Sequence, residues 1–142
     1  MNKDNLEKFQ FLIGDWNLEY RIPKSIFSEP GTDNGVGSFK KILKDKYVLF
    51  EYSTKSGGEA KGIFVWDDKI KMFRYWWFEN SGSFSLATCN FVNDVTLAMN
   101  WHDTLLVQTF TKETSDRVVL KMQHPAAKGG YELILEVIFT KR

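Results

Sequence analysis

A single cysteine, Cys89, is present among 142 residues, so no internal disulfide can staple this chain, and a reducing compartment is the expected setting. Its neighbours Thr88 and Asn90 supply no cation or base. The thiol therefore reads as a buried, inert group rather than a nucleophile. Apolar residues never run long enough to make a spanning helix, and charges break up the opening stretch MNKDNLEKFQFLIG, so neither a membrane segment nor a signal-peptide core is indicated. The expected location is the cytoplasm. Charge of one sign is missing too: 19 basic residues face 18 acidic ones with no block of either. Without a concentrated field, nucleic acid and anionic membrane surfaces are excluded as partners.

Histidine is equally scarce. His102 sits in a turn pattern and His124 precedes Pro125, both at strand ends, whereas a haem-holding barrel would need an axial ligand. Both read as surface residues. No cluster of His, Cys and carboxylates at metal spacing occurs, no Gly-x-Ser-x-Gly elbow, and the pairs Gly57-Gly58 and Gly129-Gly130 have no strand-to-helix context for a phosphate loop. No cofactor, no metal and no catalytic signature is expected.

Aromatic residues, by contrast, make up 15% of the chain, as 12 Phe, 5 Trp and 5 Tyr. Large rings favour pleated, half-buried surfaces. Residues before Gly14 read as a short helix, with Asn2 or Asp4 as its cap, Glu7 three residues after Asp4, and an apolar cluster of Leu6, Phe9 and Phe11 to Ile13. Beyond it the period drops to two, and strands are expected over 15–21, 36–43, 47–53, 60–66, 72–78, 83–91, 96–101, 105–112, 117–124 and 131–140. Turn residues such as Asp67-Asp68, Asn80-Ser81-Gly82, Asn93-Asp94 and Lys128-Gly129-Gly130 separate them. The longest irregular piece, 22–35, holds Pro23, Pro30, Gly31 and Gly35 and reads as a mobile, lid-like loop.

About ten short strands joined by hairpins, without a crossover helix, should close on themselves, because closure removes exposed edges. The fold class is all-β: one domain over residues 1–142, a single antiparallel up-and-down barrel with a short N-terminal helix. A barrel of that girth must be filled by large side chains, by a ligand, or by both.

The run Phe11-Leu12-Ile13-Gly14-Asp15-Trp16 resembles the entry motif of lipocalins and other calycins, a short helix delivering Gly-x-Trp onto the first strand. Over roughly the whole chain the sequence is similar to lipocalin-like bacterial and archaeal proteins of the DUF1579 type. The segments that carry this are Gly62-Ile63-Phe64-Val65-Trp66-Asp67, Trp76-Trp77-Phe78-Glu79-Asn80-Ser81-Gly82 and the basic ending Lys141-Arg142. The resemblance implies a calycin-type barrel closed by its N-terminal helix, with the Trp16 ring at the closed end under a cation from Lys141 or Arg142. Lacking a disulfide and a secretion signal, the chain departs from lipocalins there, and secreted transport does not carry over.

Candidate ligand-binding residues follow from alternation. Met72, Arg74, Trp76 and Phe78 share one face and Phe73, Tyr75 and Trp77 the other, and both are apolar enough to lie inside. An inward Arg74 would need a carboxylate partner such as Glu51 or Glu79, or a bound anion. An outward Arg74 would lay its stem over aromatic rings. Ser83, Ser85, Ala87 and Cys89 form a small-residue face that either faces water or makes room beside Trp76, Trp101 and Phe110. The expected ligand site is thus Arg74, Trp76, Glu51, Trp101 and Phe110, holding a small hydrophobic molecule, with room in the reading for an anionic head group. Two alternatives stay open: acid–base catalysis by Arg74, Glu51 and Tyr75 or Tyr52, and a filled barrel working only through protein contacts. A homodimer is compatible with either.

Overall fold

Alternation of apolar and polar residues suits a sheet with one dry face, and this chain uses it to close a ring. In the computed structural model, which describes residues 3–142, a helix α1 (Lys3–Glu7) runs into a 3-10 turn (Lys8–Phe11). The cap assigned to Asn2 lies outside the described residues, as does the side chain of Asp4. Strands β1 (Gly14–Ile22), β2 (Gly31–Ile42), β3 (Tyr47–Thr54), β4 (Glu59–Asp67) and β5 (Met72–Glu79) follow. The barrel is completed by β6 (Phe84–Asn93), β7 (Thr96–Trp101), β8 (Val107–Thr114), β9 (Arg117–Pro125) and β10 (Tyr131–Lys141). Each strand pairs antiparallel with its neighbours in sequence, and β1 also pairs with β10, so the sheet has no edge.

Every strand lies where expected, and two strand starts differ from the expectation by more than one residue. β2 begins at Gly31 rather than at residue 36, because Gly31 to Gly35 pair with Ile22 to Leu18 of β1. Glycine here does not break the ladder but permits it: a side chain at Gly35 would collide with the Ser53 carbonyl of β3. The irregular segment therefore shrinks to residues 23–30. At the other boundary, Leu105 and Leu106 belong to the turn before β8, where the Leu106 amide donates to Thr104 Oγ1 at 3.1 Å.

The interior is layered. At one end the helical segment pushes Phe9 between Phe64, Phe73 and Phe91, with ring centroids 4.8, 5.0 and 5.1 Å away. That insertion plugs the barrel. Beside it, Trp16 is fully buried, its indole N–H donating to the Leu12 carbonyl at 2.8 Å and its ring lying 4.9 Å below the Lys141 ammonium. Gly14 explains its place in the Gly-x-Trp run: its φ of +136° disfavours any side chain, and a Cβ there would press on the Lys141 stem. Above this plug, Phe39 stacks on Phe50 at 4.2 Å while Phe110 and Phe139 meet Phe39 edge-on or tilted, filling the middle.

Candidate ligand-binding cavity

The filling stops above that middle layer. Along β5 the inward residues climb from Phe73 in the plug through Tyr75 to Trp77, and along β1 from Trp16 through Leu18 to Tyr20. The last ring of each strand borders a cavity of about 260 Å³ at the end opposite the helix. Phe50 and Phe139 are its floor, Tyr20, Tyr52, Tyr75, Trp77 and Trp101 its aromatic walls, and Leu120, Met122, Leu135 and Val137 its aliphatic side. Asp103, Thr104 and Leu106, from the turn between β7 and β8, stand at its mouth. This volume lies just below the range of roughly 300–1,000 Å³ that takes drug-sized ligands, so it suits a molecule of one or two rings.

Small inward residues create the space. Ser85 and Ala87 on β6 sit opposite Trp77 and Tyr75, so the large ring on one strand meets a small side chain on the next. Gly62 on β4 does the same from the other side: a Cβ there would land on the ring and hydroxyl of Tyr75. Tyr75 can therefore lean across Gly62, stacked on Phe64 at 4.1 Å, and reach the cavity. Rings bounding the space meet at steep angles, Tyr75 with Trp101 at 62° and Trp77 with Trp101 at 71°. These are the edge-to-face contacts usual for aromatic pairs, so the three rings support one another as a continuous wall beside the space.

Polar groups in this box are few. Gln108, buried on β8, accepts the Trp101 indole N–H at 3.2 Å, and its own amide points at the Met99 sulfur at 3.7 Å. Three phenols face the space. Burial holds the Tyr75 hydroxyl well above the ordinary phenol range, with Tyr52, Cys89 and Tyr20 adding to the shift. Tyr20 is raised by burial first and then by Tyr52 and Asp33, and Tyr52 by burial and then by Glu79. All three are neutral donors and acceptors at physiological pH. Asp103, which accepts from the Ser85 hydroxyl at 3.3 Å, is the one charged residue among the described residues lining the cavity.

The site expected from sequence is split by the barrel wall. Trp101 lines the cavity, and Phe110 lies fully buried in the layer beneath it. Arg74, Trp76 and Glu51 are on the outside, which corrects their assignment to the interior. Inward alternation belongs to Phe73, Tyr75 and Trp77, so the intervening residues of β5 must point out. Arg74 Nε donates to the Asp67 carboxylate at 2.7 Å on the outer face, and this guanidinium holds Asp67 below the usual carboxylate range. Glu51 is paired outside with Lys61 at 2.9 Å and Lys40 at 3.4 Å, and Lys61 is the main cause of its lowered pKa. The catalytic set of Arg74, Glu51 and a tyrosine therefore does not converge. Ser85, Ala87 and Cys89 point inward, where the small-residue face makes room. Tyr20, Gln108 and Asp103 were not singled out by sequence; for Tyr20 the alternation with Trp16 and Leu18 carried the signal, and for Gln108 the alternation with Phe110.

Outside the barrel, a shallow groove of about 770 Å³, open to solvent, runs over β2 to β5 past Leu49, Glu51, Lys61, Ile63 and Phe78. It is larger than the interior cavity but cannot withdraw a ligand from water, and so is a poorer small-molecule site.

No family model matches this chain, and no curated protein matches its sequence. Among solved structures it is similar to the crystal structure of Rv2717c from M. tuberculosis, with 13% sequence identity, a TM-score of 0.66 and 97% of each chain covered. A de novo designed fluorescence-activating β-barrel matches at 12% identity and a TM-score of 0.49, over 94% of this chain and 95% of that one. The likeness to Rv2717c is one of fold: an antiparallel barrel of ten strands.

Proposed function

We propose that this chain is a binding protein of calycin type, whose barrel holds a small, flat, mostly apolar molecule between Tyr75, Trp77 and Trp101. The observation that carries the reading is the box itself: a 260 Å³ space walled by inclined rings and kept open by Ser85, Ala87 and Gly62. A barrel meant only to be solid would fill that end as it fills the other. The absence of a cation among the described lining residues argues against the anionic ligand expected from sequence, because neutral phenols offer a carboxylate no counter-charge in an apolar wall. The Gly14 to Trp16 entry with Lys141 over the indole supports the calycin comparison. The same reading puts the protein in the cytoplasm, where Cys89 stays a thiol.

Titration with indole, followed by amide chemical shifts, tests it. Shifts should concentrate on β5, β6 and β7 around the cavity. Ser85→Trp, which places a second indole inside the box, should abolish them while the rest of the spectrum stays folded. Shifts confined to the outer strands, or shifts that persist in Ser85→Trp, would remove this reading.

One further observation favours an additional protein contact. On the outer face of β3 to β6 the register aligns Leu49, Ile63, Trp76 and Leu86 in one cross-strand row, and Phe78 beside Phe84 in the next. Phe84 is 70% exposed and Phe78 47%. Such a patch beside the mixed charges of Lys40, Glu51 and Lys61 suits a second copy of this chain, since a two-fold interface lets each sign meet its opposite. Sedimentation should show a dimer that Phe84→Glu converts to a folded monomer. A monomeric wild type, or a dimer indifferent to Phe84→Glu, would refute it.

A further inference from the structure

Within the cavity reading, the identity of the ligand can be narrowed by asking which charge the box tolerates. Its walls are rings, whose faces are electron-rich and attract a cation within about 6 Å of the centroid. Tyr75 and Trp101 stand 5.7 Å apart by their centroids, Trp77 and Trp101 6.1 Å, and Tyr20 and Tyr52 6.2 Å. All five rings border the same cavity, so a charge held there lies beside aromatic walls. The only formal charge among the described lining residues is negative, Asp103, held at the mouth against Ser85.

Hydroxyl oxygens of Tyr20, Tyr52 and Tyr75 add lone pairs at the cavity wall, and Tyr75 is only 2% exposed. We infer that the cavity takes an organic cation, an alkylated ammonium joined to a flat or short apolar body, with the ammonium among Tyr75, Trp77 and Trp101 and Asp103 as its counter-charge. An alkylated ammonium fits better than a bare one. Its charge is spread over methyl groups that are weakly hydrated, so it loses least on leaving water for an apolar wall, and it needs no hydrogen-bond acceptor for each N–H. An anion could accept from the phenol hydroxyls, but it would meet the electron-rich ring faces and the Asp103 carboxylate and find no formal counter-charge among the described lining residues.

This inference rests on the cavity reading, and three probes that share a ring bearing a tert-butyl or trimethylammonium group separate the two. Phenyltrimethylammonium, its uncharged isostere tert-butylbenzene, and the anion 4-tert-butylbenzoate all fit 260 Å³ and can be followed by amide shifts of the full chain. The cation should bind at least about tenfold more tightly than the neutral isostere, and the anion most weakly. Asp103→Asn keeps the shape of the mouth and removes its charge. It should weaken the cation by about three- to fivefold while leaving tert-butylbenzene within about twofold, which also reports an intact cavity. A cation that binds no better than tert-butylbenzene, or a preference undiminished in Asp103→Asn, overturns the inference and leaves the cavity reading standing. Binding of none of the three overturns both.

Discussion

Trp16→Ala should destabilise the barrel by about 3 to 5 kcal/mol in chemical denaturation, the usual cost of removing a fully buried large aromatic ring and leaving the hole unfilled. Three observations put this residue at the heavy end of that scale. Its side chain has no exposure, its ring meets Phe139 edge-on at 6.1 Å, and it faces the Lys141 ammonium at 4.9 Å. Its indole N–H also satisfies the Leu12 carbonyl at 2.8 Å, tying the helical segment to β1. Truncation therefore leaves a cavity, an orphaned carbonyl and an ammonium without its ring. Trp16→Phe keeps a ring but loses the donor, and should cost less, about 1 to 2 kcal/mol beyond the small change in packing. Lys141→Met keeps the stem that passes Gly14 but removes the charge over the ring and the exposed 3.2 Å hydrogen bond to the Ile13 carbonyl, so it should cost about 1 to 2 kcal/mol. A variant Trp16→Ala within about 1 kcal/mol of the wild type would mean that the plug is held by Phe9 and its partners alone.

That hierarchy is legible in the sequence only in part. Large residues at period two mark the strands and hairpin punctuation marks their antiparallel order, so the closed barrel is legible in the sequence. Glycine misled where it served the ladder instead of breaking it, as at Gly31 and Gly35 in β2. The site was harder, for a reason visible in β5. Both faces of Met72 to Glu79 carry large rings, because Trp76 and Phe78 belong to an outer apolar patch while Tyr75 and Trp77 belong to the cavity. Alternation fixes which residues share a face but not which face is inside. The choice could have been made from the partner strand: Val65 pairs with Arg74 and Asp67 ends the same hairpin, so an acid already waits beside an outward Arg74. Asp103 could not have been found by periodicity at all, since it belongs to a turn, and its place at the mouth depends on how β7 and β8 meet.

The second large effect is expected in alkali. Four groups in this barrel are held protonated by burial: Tyr20, Tyr52 and Tyr75 above their ordinary value of 10.0, and Cys89 above 9.0. Each binds its proton more tightly folded than unfolded, so between the unfolded and the folded pKa the folded state carries more protons. Stability then falls as pH rises. The contribution of Cys89 is fully present below about pH 9 and that of the tyrosines below about pH 10, where both states are protonated, and each is lost above that point at up to about 1.4 kcal/mol per pH unit. Tyr75 and Cys89, the two most deeply buried, give together a slope approaching 3 kcal/mol per pH unit, and Tyr20 and Tyr52, which open onto the cavity, add a smaller share. Against a typical domain stability of about 5 to 15 kcal/mol, a few pH units suffice to unfold the chain. Phenolate absorbance and near-ultraviolet circular dichroism recorded together should therefore show three of the 5 tyrosines ionising in one steep step that coincides with loss of the folded signal. Tyr75→Phe removes one of the released protons, so its transition should be shallower and shifted to higher pH. Ionisation of every tyrosine along a single broad curve with the folded signal intact would show that water and hydroxide reach the cavity freely, and the neutral walls on which the preference for a cation depends would no longer be closed enough to matter.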